Sequence, residues 1–131
     1  MKTLLKLTLI SLLFTSCDPV SNMEANIENE TSQTLVVDFI SSNANERKTL
    51  NIKTNEIVIF QEGFDVGGSV LRPSFSEFDS IVIRNASQEI LKIYKASDAS
   101  KNIYNLDNWQ ATEPEKRFYK YLYKIENTDI Q

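Results

Sequence analysis

The segment QTLVVDFI, residues 33–40, has the side-chain pattern of a β-strand that is buried on both faces. Successive side chains of a strand point to opposite sides, so Leu35, Val37 and Phe39 share one face. The opposite face also carries apolar side chains, beginning with Val36. A strand of this kind needs cover on both sides, which a single half-exposed sheet does not supply. Two packed sheets, with loops over parts of their outer faces, account for the pattern.

Short apolar runs with the same alternation recur along the chain, separated by clusters of Asn, Ser, Thr and Gly. Helix signals are nearly absent, and this combination is typical of strands joined by turns. Strands are predicted near residues 24–29, 33–40, 47–53, 56–61, 80–85, 89–95 and 117–126. The predicted fold is all-β, an antiparallel two-sheet sandwich of about seven strands that is immunoglobulin-like or similar.

The alternation also predicts which side chains face the core. Val37, Phe39, Ile59 and Ile83 are expected to be buried. The same-face pairs that support this assignment are Leu50 with Ile52, Ile57 with Ile59, and Ile81 with Ile83. Polar turns at residues 30–33, 54–55 and 85–88 are rich in side chains that bond to their own backbone, so hairpins are predicted at all three.

Two long connections, residues 62–79 and 96–116, are predicted to build any binding surface. Together they hold all three glycines and the only tryptophan, and binding residues concentrate on loops held by a rigid scaffold. Trp109 and Tyr104 are the candidate aromatic anchors of this surface. In the alternative interpretation, Trp109 plugs one end of the sandwich and serves stability alone.

Three tyrosines, Tyr119, Tyr121 and Tyr123, lie on one face of the last predicted strand. They are a candidate stacking platform for sugar rings or for a partner chain. Alternatively, they form a stripe at the edge of the core, with hydroxyl groups that reach solvent at its rim.

The composition excludes several classes of function. The chain has no histidine, which removes catalytic triads and histidine-based zinc or iron sites. Acidic residues outnumber basic ones, 18 to 14, and a chain of net negative charge is a poor match for nucleic-acid phosphates. We predict no catalytic residue, no metal site, no cofactor and no nucleic-acid partner. Loop carboxylates such as Glu62 and Asp65 leave one enzymatic alternative, a small carboxylate-based enzyme acting on glycans.

The N-terminus has the pattern of a bacterial signal peptide. Lys2 and Lys6 accompany an apolar run over residues 7–14. This run is far shorter than the roughly 20 residues that a membrane span needs. A basic start followed by a short apolar segment is typical of a segment that is removed after export.

The sequence Phe14-Thr15-Ser16-Cys17 resembles the lipobox of bacterial lipoprotein precursors, although leucine is more usual at its first position. Small residues before the cysteine let a peptidase reach the bond to be cut. The resemblance implies that the chain is cut before Cys17 and that Cys17 carries a diacylglyceryl group and a further acyl chain such as palmitate. Cys17 is the only cysteine, and a lone thiol fits a modification better than a disulfide. The implied organisation is a signal peptide over residues 1–16, an acylated tether over 17–23 and a β-sandwich domain over 24–131.

The tripeptide Asp79-Ser80-Ile81 resembles the Asp-Ser/Thr-apolar sequence at which some Gram-negative envelope proteins are O-glycosylated. Ser80 is therefore a candidate glycosylation site. The alternative is that the tripeptide only marks the start of a strand at Ile81.

Several segments beyond the lipobox resemble small single-domain lipoproteins of Gram-negative envelopes. They are Asn26-Ile27-Glu28-Asn29, Asp79-Ser80-Ile81-Val82-Ile83, Asn102-Ile103-Tyr104-Asn105, Trp109, and the closing Tyr121-x-Tyr123-x-Ile125 followed by Asp129. The resemblance implies a sandwich fold and a lipid-anchored place in the cell envelope, with the outer membrane expected, but it transfers no activity. The expected function is a non-enzymatic domain that binds an envelope protein or a glycan or has a structural role. An accessory subunit of an envelope complex is a further alternative.

Overall fold

The computed structural model describes residues 17–131, so the predicted signal peptide and the first three lipobox residues lie outside the described residues. Eight strands make up the fold: β1 Val20–Asn29, β2 Leu35–Ile40, β3 Lys48–Ile52, β4 Ile57–Val66, β5 Ser80–Asn85, β6 Ile90–Tyr94, β7 Gln110–Glu115 and β8 Phe118–Ile125. Within residues 17–131, helix is confined to three short 3-10 segments, Ala44–Glu46, Leu106–Asn108 and Asn127–Asp129.

The strands form two four-stranded sheets, with the orders β4-β1-β8-β7 and β3-β2-β5-β6. The sheets pack face to face: the ring of Phe39 on β2 stacks on the ring of Phe60 on β4 with 4.6 Å between centroids. The prediction of an all-β, two-sheet sandwich is confirmed. The structure differs in having eight strands, and in pairing β1 with β8 in parallel while the other neighbours run antiparallel.

Strand β1 begins at Val20, inside residues 17–23, which were predicted to be an acylated tether outside the sandwich domain. Its first half pairs with the end of β4, from Val20 opposite Val66 to Glu24 opposite Glu62. The alternation is hard to see in the sequence because the inward positions hold the small Ser21 along with larger residues. Only Asp18 and Pro19 therefore separate Cys17 from the folded sheet.

One of the three predicted hairpins is confirmed, at the β5–β6 turn, where Gln88 has a φ of 68°. The other two turns join different sheets, so the hairpin prediction is wrong there. Between β1 and β2 the chain crosses from one sheet to the other, and Asn29 stabilises this crossing. Its side-chain amide donates to the carbonyl oxygens of Gln33 at 2.8 Å and Ile52 at 2.9 Å. These bonds tie the end of β1 to the other sheet instead of letting the chain fold back on itself. The β3–β4 turn is tied to the same place, because the backbone N–H of Asn55 donates to the carbonyl of Asn29 at 2.7 Å.

The predicted core is confirmed at Val37, Phe39 and Ile83, which are fully buried. It is wrong at Ile59, whose side chain is 45% exposed, and at Ile57 on the same face. A register shift on β4 causes the difference: Ala25 pairs with Gln61 while Asn26 pairs with Ile59, so one β4 residue is extra. β4 is apolar on both faces, and the neighbouring strands place Val58 and Phe60 inward. The Lys48 ammonium donates to the Phe60 carbonyl at this bulge.

Candidate functional site

The predicted aromatic anchor Trp109 lies in the core. Its side chain is 6% exposed, and its indole N–H donates to the carbonyl of Ile103 at 2.8 Å. The ring packs against Phe75 and Tyr123 with centroids 5.7 and 5.4 Å away. The hypothesis of an exposed anchor does not fit this position, because a buried ring presents no surface to a partner. The plug interpretation does fit it.

Tyr104 is half-buried and joins the two long connections. Its hydroxyl donates to the carbonyl of Phe78 at 3.3 Å, and its ring lies 5.7 Å from that of Phe75. Burial, with a smaller effect from the nearby charge of Asp79, raises the pKa of Tyr104 to about 12. The two connections therefore meet, as the prediction requires, but they meet through buried structural contacts.

Replacing Trp109 with Phe is expected to lower the free energy of unfolding by about 1–3 kcal/mol, since the buried Ile103 carbonyl loses its donor. A thermal unfolding scan measures the loss. Tyr104→Phe is the matched control, because its hydrogen bond is longer and its ring is only half-buried. An unchanged melting temperature for Trp109→Phe would contradict the plug interpretation.

The tyrosine stripe of β8 also faces the core. Tyr123 is fully buried and its hydroxyl donates to the Tyr94 hydroxyl at 3.4 Å. Burial is the main cause that raises the pKa of Tyr123. Tyr121 donates to the carbonyl of Leu71 at 2.8 Å. The stripe is therefore the edge of the core and not a free stacking platform.

Ser80 is the first residue of β5 and pairs with Ile40 on β2. It is half-buried, while Ile81 beside it is fully buried. The tripeptide thus does mark the start of a strand. O-glycosylation of Ser80 stays a prediction, which a glycan mass that disappears in Ser80→Ala would confirm.

A concave surface lies on the outer face of the β4-β1-β8-β7 sheet. We call it the outer groove. A cavity of about 570 Å³ is lined by Asn22, Glu24, Glu62, Phe64, Glu115 and Phe118, among others. A second cavity of about 290 Å³ shares Glu24 and continues past Asn26, Ile57, Lys120 and Leu122. Asn26 is only 7% exposed although it lies on the outer face, so the neighbouring side chains cover it.

The strand register explains how the outer groove is built. Asn22 on β1 pairs with Phe64 on β4 and with Phe118 on β8, which places two phenyl rings on either side of an amide. The next outward row, two residues along each strand, holds the carboxylates of Glu62 and Glu24 beside the ammonium of Lys120. Residues that pair in register point to the same face, so each row is a set of neighbouring side chains.

The two carboxylates of the second row, Glu24 and Glu62, differ in their surroundings. Glu24 accepts a hydrogen bond from Asn26 at 2.8 Å and lies 3.3 Å from the ammonium of Lys120. Glu62 is exposed on the edge strand. Phe64 is also exposed, at 66%. The outer groove therefore offers an aromatic face and hydrogen-bond acceptors together, which is a combination suited to sugar rings or to a peptide with apolar and polar side chains.

Sequence reasoning found only part of this surface. Glu62, Phe64 and Glu115 belong to the two long connections that were predicted to build a binding surface, whereas Asn22, Glu24 and Phe118 were not predicted to be part of it. Glu62 and Phe64 fall in a segment predicted to be a loop, and their partners on β1 and β8 lie far away in the sequence. The alternation of side chains along β4 could have indicated an exposed apolar face. The bulge at Phe60 interrupts that alternation, so the sequence does not show which side chains face outward.

Metal and membrane-span features are absent from the part of the chain that the structure describes. Residues 17–131 contain no group of three or more His, Cys, Asp or Glu side chains placed to hold a metal ion. No helix in the same range has the length and apolar character to cross a membrane. No protein-family model, curated protein or solved structure matches the chain.

Proposed function

We propose that this chain is a bacterial envelope lipoprotein, held at the outer membrane by acyl chains on Cys17. Its sandwich domain binds an envelope protein or a glycan and does not catalyse a reaction. The observation that carries the anchoring is the position of Cys17, which is exposed and lies just before β1. A modified cysteine there places lipid outside the folded domain, where it does not disturb the core. The lipobox resemblance of the preceding residues supports the same modification.

The outer groove supports a binding role, with a glycan as the preferred ligand. Phe64 and Phe118 lie on either side of Asn22, and phenyl rings pack on the apolar faces of sugars while amides and carboxylates accept bonds from their hydroxyls. Glu62 and Glu24 supply such acceptors one row further along.

Replacing Phe64 with Ala is expected to weaken glycan binding by at least about tenfold while leaving stability within about 0.5 kcal/mol, because the ring is exposed. The ligands are peptidoglycan fragments and soluble envelope polysaccharides, and binding is measured by NMR titration of the domain. Ile90→Ala on the other sheet is the control, since Ile90 is exposed to a similar degree. Chemical-shift changes that avoid Asn22 and Phe118, or equal effects of the two substitutions, would contradict a glycan site in the outer groove.

One observation favours a carboxylate enzyme as the second candidate. Glu24 and Glu62 pair in register, and side chains in such a pair start about 5 Å apart, which is near the carboxylate spacing of retaining glycosidases. The ion pair of Glu24 with Lys120 favours a structural role. New reducing ends released from the same glycans, and lost in Glu62→Gln, would establish the enzyme.

A further inference from the structure

Three segments of the chain converge at the end of the sandwich where β1 begins. The backbone N–H of Gly67 donates to the carbonyl of Pro19 at 2.7 Å, and that of Asn22 donates to the carbonyl of Arg117 at 2.8 Å. Gly68, with a φ of 76°, approaches so closely that a Cβ built on it lies 3.3 Å from Pro19 and 3.2 Å from Arg117. We call this region the tether end. Its backbone is held by hydrogen bonds between segments, so it presents a defined surface.

The tether end exposes apolar side chains. Val20 and Val66 pair across β1 and β4 and are 39% and 54% exposed. Val70 is 60% exposed, two residues beyond the Gly68 contact. Val20 and Val66 are therefore adjacent at this end of the domain, and exposed apolar side chains that are grouped in this way mark a contact surface.

The position of Cys17 indicates that the membrane faces this surface. Cys17 precedes Val20 by three residues, which span at most about 10 Å when fully extended. We propose that the tether end rests on the lipid headgroups, with Val20, Val66 and Val70 in contact with the lipid. The inference rests on the proposed acylation of Cys17, since the acyl chains bring the bilayer within that distance.

The charges of the tether end indicate the kind of contact. Lys116 and Arg117 in the β7–β8 turn are accompanied by Asp18, Asp65 and Glu115. Because both signs are present, attraction to anionic lipid does not dominate, and the apolar side chains supply the contact. The contact is therefore expected in neutral bilayers as well.

This arrangement sets the direction of the outer groove. Strand β4 runs from Ile57 to Val66, a distance of about 30 Å at ~3.3 Å per residue. If Val66 contacts the lipid, Ile57 lies at the end of β4 that is far from the membrane. The groove then starts beside the membrane, at the row of Phe64 and Phe118, and extends outward.

The test compares two dye positions on one strand. Val66→Cys and Ile57→Cys are matched, because both side chains lie on the outer face of β4 and both are 54% exposed. Each variant is purified with its acyl chains, so that Cys17 is blocked, labelled with a nitrobenzoxadiazole dye and placed in phosphatidylcholine vesicles. A nitroxide on the lipid headgroup quenches dyes that lie at the bilayer surface.

Quenching of the dye at position 66 is expected to be at least about twice that of the dye at position 57, with or without anionic lipid. Equal quenching at the two positions, or a difference that needs anionic lipid, would overturn the inference while the anchor stands. Failure of the protein to float with the vesicles, or a mass without acyl chains, would instead show that the anchor itself is absent.

Discussion

Replacing Phe39 with Ala is expected to lower the free energy of unfolding by about 3–5 kcal/mol. Phe39 is fully buried, and its ring packs on Phe60 at 4.6 Å and on Phe78 at 5.2 Å. The truncation therefore leaves a cavity between the two sheets. Since an ordinary domain has only about 5–15 kcal/mol of stability, the variant is expected to be close to unfolding. Denaturant titration followed by circular dichroism gives the value.

Ile59→Ala is the control for this measurement. Its side chain is 45% exposed on the outer face of β4, so the change is expected to stay below about 1 kcal/mol. A loss at Ile59 as large as that at Phe39 would contradict the register of β4 and the assignment of its two faces.

Replacing Cys17 with Ser is expected to move the protein out of the membrane fraction or to leave an uncut precursor. Each buried methylene contributes ~0.8 kcal/mol, so two or three acyl chains hold a protein at a bilayer almost permanently, and a serine hydroxyl does not form the thioether that carries them. Fractionation of cells, with and without detergent, measures the change. Asp18→Asn is the control, because it alters the tether while keeping the cysteine. Membrane association of Cys17→Ser equal to that of the control would contradict a lipid anchor.

The core strands were predictable because their alternation is local. Leu35, Val37 and Phe39 on β2, and Ile81 with Ile83 on β5, are buried as the two-residue period requires. Large apolar residues at every second position leave one way to hide them. The sandwich follows from the number of such strands.

Strand β7 was not predictable by the same reasoning. Its sequence, QATEPE, is exposed along its whole length and includes Pro114, a residue found in edge strands. It becomes a strand because the turn at residues 116–117, where Arg117 has a φ of 62°, folds it back against β8. The neighbouring strand, and not its own composition, determines its structure.

Only part of the candidate site was predictable, for a related reason. The outer groove depends on the parallel pairing of β1 with β8, which brings Asn22 beside Phe118. No local pattern indicates such a long-range pair. For Trp109 the sequence left two interpretations open, an exposed anchor and a plug at one end of the sandwich. Phe75 and Tyr123 enclose its ring, as the plug interpretation requires.

The lipid anchor is tested most directly by the intact mass of the protein extracted from membranes with detergent. We expect a chain that begins at Cys17, lacks residues 1–16, and carries the added mass of a diacylglyceryl group and a further acyl chain. Fragmentation should place all of this added mass on Cys17. A chain that retains Met1, or one that begins elsewhere with a free thiol at Cys17, would contradict the proposed anchor.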